Sequence, residues 1–114
     1  MLTATLTATP QSDRVEFELT VENRGDERVT LSFRDARRAE FVVTDTGGGG
    51  EVWRWSDGRM FAQMLGSETL DPGEATTFES VWDDSEPGEY VAVGELAAVD
   101  ADAEAQTQFS VEPV

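Results

Sequence analysis

The amino-acid sequence predicts an all-β protein, an antiparallel immunoglobulin-like β-sandwich of about eight or nine strands. Three observations lead there. Apolar and polar residues alternate with period two in several stretches, the pattern of a strand with one face buried. Turn signals built on Gly, Pro and Asn recur every ~8–12 residues, as in two-sheet sandwiches. No stretch carries a convincing helical pattern. An eight-stranded barrel is the competing closure. The cysteine pair and the tyrosine-corner spacing of antibody domains are absent.

Taken in order, Leu2, Ala4, Leu6 and Ala8 alternate with four threonines until Pro10 ends the first strand. Val15, Phe17, Leu19 and Val21 alternate with Glu16, Glu18, Thr20 and Glu22, the cleanest strand of all. Asn23-Arg24-Gly25-Asp26 reads as a turn, because Asn and Gly tolerate positive φ. Val29, Leu31 and Phe33 alternate again. A charged connection from Arg34 to Glu40 leads into a fourth strand at Phe41-Val42-Val43. The run Gly47 to Gly50 is a slack hairpin turn, and Val52 to Trp55 resumes extended structure. Asp71-Pro72-Gly73-Glu74 has the residues of a type II turn, Pro first and Gly second at its centre. Thr76 to Trp82 follows as a strand. Glu86-Pro87-Gly88-Glu89 reads as a second turn of that kind. Tyr90 to Val99 is nearly all apolar and is expected to be a central strand buried on both faces. Ala105, Thr107, Phe109 and Val111 alternate in the last strand.

Length and composition fit one domain over residues 1–114. The 24 acidic residues stand against 8 basic ones, every one an arginine. Lysine, histidine and cysteine are all missing. The absences exclude a Ser-His-Asp triad, thiol chemistry, thiolate metal sites and Schiff-base chemistry. A non-enzyme without cofactor or metal is therefore expected. The net charge of -16, carried without lysine, suggests adaptation to concentrated salt, in which surface repulsion is screened. Eight arginines scattered among three times as many acids do not make a nucleic-acid surface. No basic leader and no run of ~18 apolar residues is visible, so a cytoplasmic location and no membrane partner are expected.

The informative segment runs from Glu51 to Leu65. Trp53 and Trp55 share one face of an extended segment, with Val52 and Arg54 on the other. Ser56-Asp57-Gly58 then bends the chain ahead of Arg59, Met60, Phe61 and Gln63. The stretch Val52-Trp53-Arg54-Trp55-Ser56-Asp57-Gly58-Arg59-Met60-Phe61-Ala62-Gln63 closely resembles the central motif of the Bacillus intracellular proteinase inhibitor (BsuPI) family. The surrounding order is similar too, with Phe41-Val42-Val43 upstream, then Leu70-Asp71-Pro72-Gly73-Glu74, Trp82 and Pro87-Gly88-Glu89-Tyr90. The resemblance spans roughly residues 14 to 98. It implies a cytoplasmic β-sandwich that inhibits an intracellular subtilisin-like serine protease.

Each residue of the motif has a structural reading beside the functional one. Trp53 and Trp55 suit core filling, because tryptophan buries a large area. Arg54 and Arg59 suit either a partner carboxylate or one of the chain's own acids. Met60 and Phe61 suit either an apolar anchor for a protease pocket or packing under a turn. Gln63 suits the capping of loop backbone groups. Asp100, Asp102 and Glu104 alternate as calcium ligands do, but Ala105 stands where an EF-hand loop needs glycine, so a solvated acidic hairpin is expected. The candidate partner-binding residues are Trp53, Arg54, Trp55, Ser56, Asp57, Gly58, Arg59, Met60, Phe61 and Gln63. Two functions follow as expectations. One is loop inhibition of the protease, with Ser56 to Phe61 in its cleft and Arg59 or Met60 nearest the specificity pocket. The other is an immunoglobulin-like interaction module with a non-protease partner.

Overall fold

A computed structural model describes residues 1–113. Nine strands follow in chain order: β1 (Leu2–Pro10), β2 (Arg14–Asn23), β3 (Val29–Phe33), β4 (Ala39–Asp45), β5 (Gly50–Arg54), β6 (Gly66–Leu70), β7 (Ala75–Asp83), β8 (Gly88–Leu96) and β9 (Glu104–Val111). They form three hydrogen-bonded sheets in the orders β1-β2-β7, β3-β6 and β5-β4-β8-β9. Every pairing is antiparallel. The expected all-β sandwich is the fold found.

Strand alternation explains the layers. Val15, Phe17, Leu19 and Val21 of β2 are all buried, while Glu18 between them is exposed. They meet Ala39, Phe41 and Val43 of β4 and Tyr90 and Ala92 of β8 in one core cluster. Burying each side chain the size of Leu or Phe contributes ~1.5–3 kcal/mol. Aromatic rings interlock at the centre of this core. Phe17 stacks on Phe41 at 6.2 Å and meets Phe109 edge-on at 5.6 Å, and Tyr90 meets Trp82 edge-on at 5.0 Å. A smaller cluster of Leu31, Phe33, Leu70 and Leu96 lies under the β3-β6 pair.

Several expectations need correction. β6 lacks a period-two signal, because Leu70 is its only buried residue; it forms by pairing with β3. Gly50 opens β5 instead of ending the turn before it. β8 is central in its sheet but is not buried on both faces. Tyr90, Ala92 and Leu96 are buried, while Val91 and Val93 are half-covered and Glu95 is exposed. Asp71-Pro72-Gly73-Glu74 is the expected turn, closed by Glu74 N–H on Asp71 O at 2.9 Å with Gly73 at φ 87°. Glu86 to Glu89 is not a second one. Gly88 has φ 156° and already belongs to β8, and the strained position of that connection is Asp84 at φ 55°.

Asn23 is also not a turn residue with positive φ. It ends β2, is fully buried, and ties together three segments. Its Nδ2 donates to Glu27 O at 2.8 Å and to Leu70 O at 2.9 Å, and its Oδ1 accepts from Gly25 N at 3.0 Å. Every polar atom of that amide is thereby satisfied where water does not reach. Asp100, read as part of a solvated acidic hairpin, accepts from Ser32 N at 2.9 Å and so tethers the β8–β9 connection to β3.

A tyrosine corner is present after all. Tyr90, near the start of β8, donates its hydroxyl to Glu86 O four residues upstream at 2.8 Å. Ala92 stands two residues further on, where antibody domains carry a cysteine. Burial, reinforced by Asp45 and Glu86, pushes the Tyr90 phenol above its ordinary value. A phenol raised in the folded state contributes stability fully present below the unfolded value of 10.0 and lost as pH climbs through the folded one. Tyr90 is the sole tyrosine, so tyrosinate absorbance reports it alone. The expected midpoint lies above 10.0 in the native protein, and a midpoint at or below the unfolded control contradicts this burial. Tyr90→Phe keeps the ring contact and loses the bond, so urea unfolding should show a loss of about 1 kcal/mol.

Candidate functional site

Residues 55–65 join β5 of the four-stranded sheet to β6 of the two-stranded one. The path begins with a register shift. Val43 pairs with Trp53 but Thr44 pairs with Glu51, so Val52 is an extra residue on β5. Such a bulge leaves one residue unpaired and bends its strand. Val52 consequently faces solvent, and both tryptophans turn inward.

Trp53 lies between Phe17 at 6.0 Å and Trp82 at 6.2 Å, stacked on both. Trp55 meets Phe41 edge-on at 6.5 Å, and its N–H donates to Phe41 O at 2.9 Å just beyond the end of β5. The next residues coil back. Asp57 N donates to Arg54 O and Arg59 N to Ser56 O, both at 3.1 Å. Gly58 supplies the φ of 74° that this bend requires.

One carboxylate braces the bend from below. Glu40 is buried at the edge of the core. Its Oε1 accepts from Phe41 N at 3.1 Å and from Ser56 N at 3.2 Å. Its Oε2 accepts from Arg37 Nη1 at 3.1 Å and from the Ser56 hydroxyl, with Arg54 Nη1 at 3.7 Å. A buried carboxylate is tolerated only when its charge is compensated in this way. Arg54 also forks onto Glu51 at 2.7 and 3.2 Å. That bond holds Glu51 below the usual carboxylate range and raises Arg54.

The distal half of the loop is fixed from its sides. Arg59 donates Nε to Trp55 O at 2.8 Å, and its guanidinium lies 4.9 Å from the Trp55 ring centroid. Phe61 turns inward onto Trp55 at 5.3 Å. Ala36 N donates to Ala62 O at 3.0 Å, tying the loop to the β3–β4 connection. Between these anchors Met60 stands 99% exposed.

The ten sequence-selected residues therefore divide. Trp53 is packed in the core stack, and Trp55 and Phe61 line the base of the loop. Arg54 is engaged with Glu51 and Glu40. Ser56 is bonded to Glu40, while Gly58 makes the bend. Asp57, Arg59, Met60 and Gln63 are exposed. Two further residues belong with Met60, namely Met64 at 53% and Leu65 at 81% exposed. Their signal in the sequence was adjacency, since neighbouring apolar residues point to opposite faces in extended chain. What the arrangement offers is contact surface, an apolar tip on a braced loop.

A β-sandwich that holds out one braced, apolar-tipped loop is thus the class of domain defined by fold and site. The chain belongs to the BsuPI family, described as intracellular proteinase inhibitor, whose profile matches residues 2–101. None of the curated proteins matches the chain. Among solved structures it is similar to Spo0M, a sporulation control protein from Bacillus subtilis (TM-score 0.56, 16% identity, 99% of this chain and 50% of that one). It is also similar to β-glucosidase 3B from Thermotoga neapolitana (TM-score 0.55, 15% identity, 99% of this chain and 16% of that one). A β-glucosidase from Kluyveromyces marxianus gives a TM-score of 0.52 at 15% identity, over 98% of this chain and 14% of that one. The chain spans half or less of each of these structures, and the likeness is one of fold.

Replacing Glu40 by Ala removes the brace and leaves Arg37 and the Ser56 N–H without their acceptor. Urea unfolding should show a loss of about 2–3 kcal/mol, given ~1.5–3 for one hydrogen bond to a charged group. Amide exchange at Ser56 and Arg59 should accelerate more than in β2. Unchanged exchange in the loop would show that Glu40 does not hold it.

Proposed function

We propose that this protein inhibits an intracellular subtilisin-like serine protease by inserting the loop around Met60 into the protease cleft. The observation that carries the reading is Met60, fully exposed on a loop bonded from below by Glu40 and from the side by Ala36. A loop already fixed loses little conformational freedom on docking. An apolar tip suits the large apolar pockets of subtilisin-like enzymes, and protease–inhibitor contacts bury ~1,600 Å² in total. Membership of a proteinase-inhibitor family supports a protease as partner. We place the protein in the cytoplasm of a salt-rich cell, in keeping with the net charge of -16 and the absence of lysine. Among the described residues no helix is long and apolar enough to cross a membrane.

Titration of a subtilisin-type protease with the domain in concentrated KCl should abolish peptide hydrolysis near equimolar ratio. Met60→Asp should weaken inhibition at least ~30-fold, the scale of losing a hot spot worth 2 kcal/mol or more. Its melting temperature should stay put, because the side chain touches nothing in the fold. Phe61→Ala should weaken inhibition less and lower the melting temperature, since Phe61 supports the loop from within. Hydrolysis that continues unchanged at a molar excess of the domain would sink the inhibitor reading. Equal inhibition by Met60→Asp would move the contact elsewhere.

A further inference from the structure

The arginines of this acidic chain are not alike. Arg14, Arg24, Arg28, Arg37 and Arg54 each form an ion pair with a carboxylate. Among the described residues Arg34, Arg38 and Arg59 form none. With 24 acidic residues available, three unpaired arginines would be expected to scatter. They converge instead on the pole that carries the loop. Arg34 directly follows Phe33, which pairs with Gly66, the neighbour in sequence of the exposed Leu65. Arg38 packs its guanidinium against Gly66, so closely that a Cβ there would lie 2.8 Å from Nη2. Arg59 lies within the loop itself. The segments 34–40 and 54–65 hold five arginines against three carboxylates, while the rest of the chain holds three arginines against 21.

Two of these side chains are set in orientation before any partner arrives. The Arg38 guanidinium lies 4.5 Å from the Phe33 ring centroid, and that of Arg59 lies 4.9 Å from Trp55. Packing on an aromatic ring fixes a guanidinium while leaving in-plane N–H groups for a carboxylate, which they match two at a time. Arg59 spends only its Nε, on Trp55 O. Beside Arg38 a groove of about 290 Å³ runs from Ala36 to β7, with Phe41, Trp55 and Phe78 in its lining and Glu79 as its acidic residue. The pole thus combines unsatisfied positive charge with exposed apolar surface at Met60, Met64 and Leu65.

We propose that this pole docks on a protein surface whose own carboxylates flank an apolar cleft, with Arg34, Arg38 and Arg59 pairing to those carboxylates. The proposal rests on the inhibitor reading for the identity of the partner as a protease, and adds the chemistry of the protease rim. Charge complementarity argues for it, since this pole holds five arginines against three carboxylates and offers close-range pairing to a partner's carboxylates, while the rest of the surface is acidic. Methionine and leucine at the centre argue against a nucleic-acid backbone as occupant, which they cannot hydrogen-bond. Concentrated salt suits the arrangement, because a bidentate arginine–carboxylate contact acts at bonding distance where the Debye length is ~3 Å.

The experiment has two arms. The first compares wild type, the triple variant Arg34→Gln/Arg38→Gln/Arg59→Gln and the control Arg14→Gln/Arg24→Gln against one subtilisin-type protease with an acidic cleft rim and one with a basic rim. Wild type should inhibit the acidic-rimmed enzyme more tightly. The triple variant should lose at least ~10-fold there, and the control less than ~3-fold, because a desolvated charged contact counts for more than an exposed pair. Circular dichroism melts verify that each variant folds. The second arm needs no protease. A capped hexapeptide alternating Glu and Leu is titrated into labelled wild type, with a Gln-Leu counterpart as control. The side-chain Nε–H signals of Arg34, Arg38 and Arg59 should move with the Glu peptide and stay with the Gln peptide, while those of Arg14 and Arg24 stay throughout. Peptide shifts at the pole without inhibition of either protease support the docking chemistry and overturn the inhibitor reading. Inhibition that the triple variant retains in full overturns the docking chemistry and leaves the inhibitor reading standing. Poly-nucleotide binding that the triple variant loses, with no response to the Glu peptide, overturns the protein partner.

Discussion

The Glu40 carboxylate is the constraint from which the loop-bearing end of this molecule is built. It sits at the edge of the core, where an unpaired charge would not survive. Its two oxygens bind four separate places: the start of β4, the β3–β4 connection, the end of β5 and the first residues of the loop. They come from two stretches of the chain, residues 37–41 and 54–56, and the carboxylate joins them just past the end of the β4–β5 ladder. One buried charge therefore does for the loop what a ladder of backbone bonds does for a strand. The aromatic neighbours depend on it in turn. Trp55 and Phe61 pack where they do because Ser56, between them, is tied down.

The strands that could be read from the residues were those with one wet face. β1, β2 and β9 alternate because solvent on one side and core on the other dictate period two. β6 was illegible because its pairing with β3 buries only Leu70. The Tyr90 corner was hidden for a different reason. Its acceptor is a main-chain carbonyl, and a carbonyl leaves no trace in residue type. In the candidate site, the division between Trp53 and Met60 was undecidable from composition, since both are large and apolar. The extra residue at Val52 decides it, by setting which side chains face inward when β5 ends. Glu40 was passed over as part of a charged connection, because nothing local shows that its partners converge from residues 37, 54 and 56.

Charge and contact divide the labour along the molecule. Most carboxylates stand on outward strand positions and turns, as Glu16, Glu18 and Glu22 do on β2. Five arginines offset some of them locally. Exposed pairs of this sort contribute little to stability, ~0–1 kcal/mol each. The aromatic core supplies the stability instead, and so leaves the surface free to be strongly acidic. Exposed apolar side chains and unpaired guanidinium groups coincide at one end, the end proposed for recognition.

The order β1-β2-β7 has a consequence for how the chain is made. β1 and β2 close a hairpin early, but the far edge of β2 has no partner until β7 has been synthesised. Roughly fifty residues separate the two, several seconds of translation at ~5–20 residues per second. For that interval the hairpin presents an open edge and a bare apolar face of Val15, Phe17, Leu19 and Val21, the sort of segment that nucleates aggregation. Nascent chains on neighbouring ribosomes would meet there as easily as β7 does. The glutamates on its other face then act before folding as well as after it. Set beside the apolar row, they are the kind of charged residue that discourages edge-to-edge pairing while the strand waits for its partner.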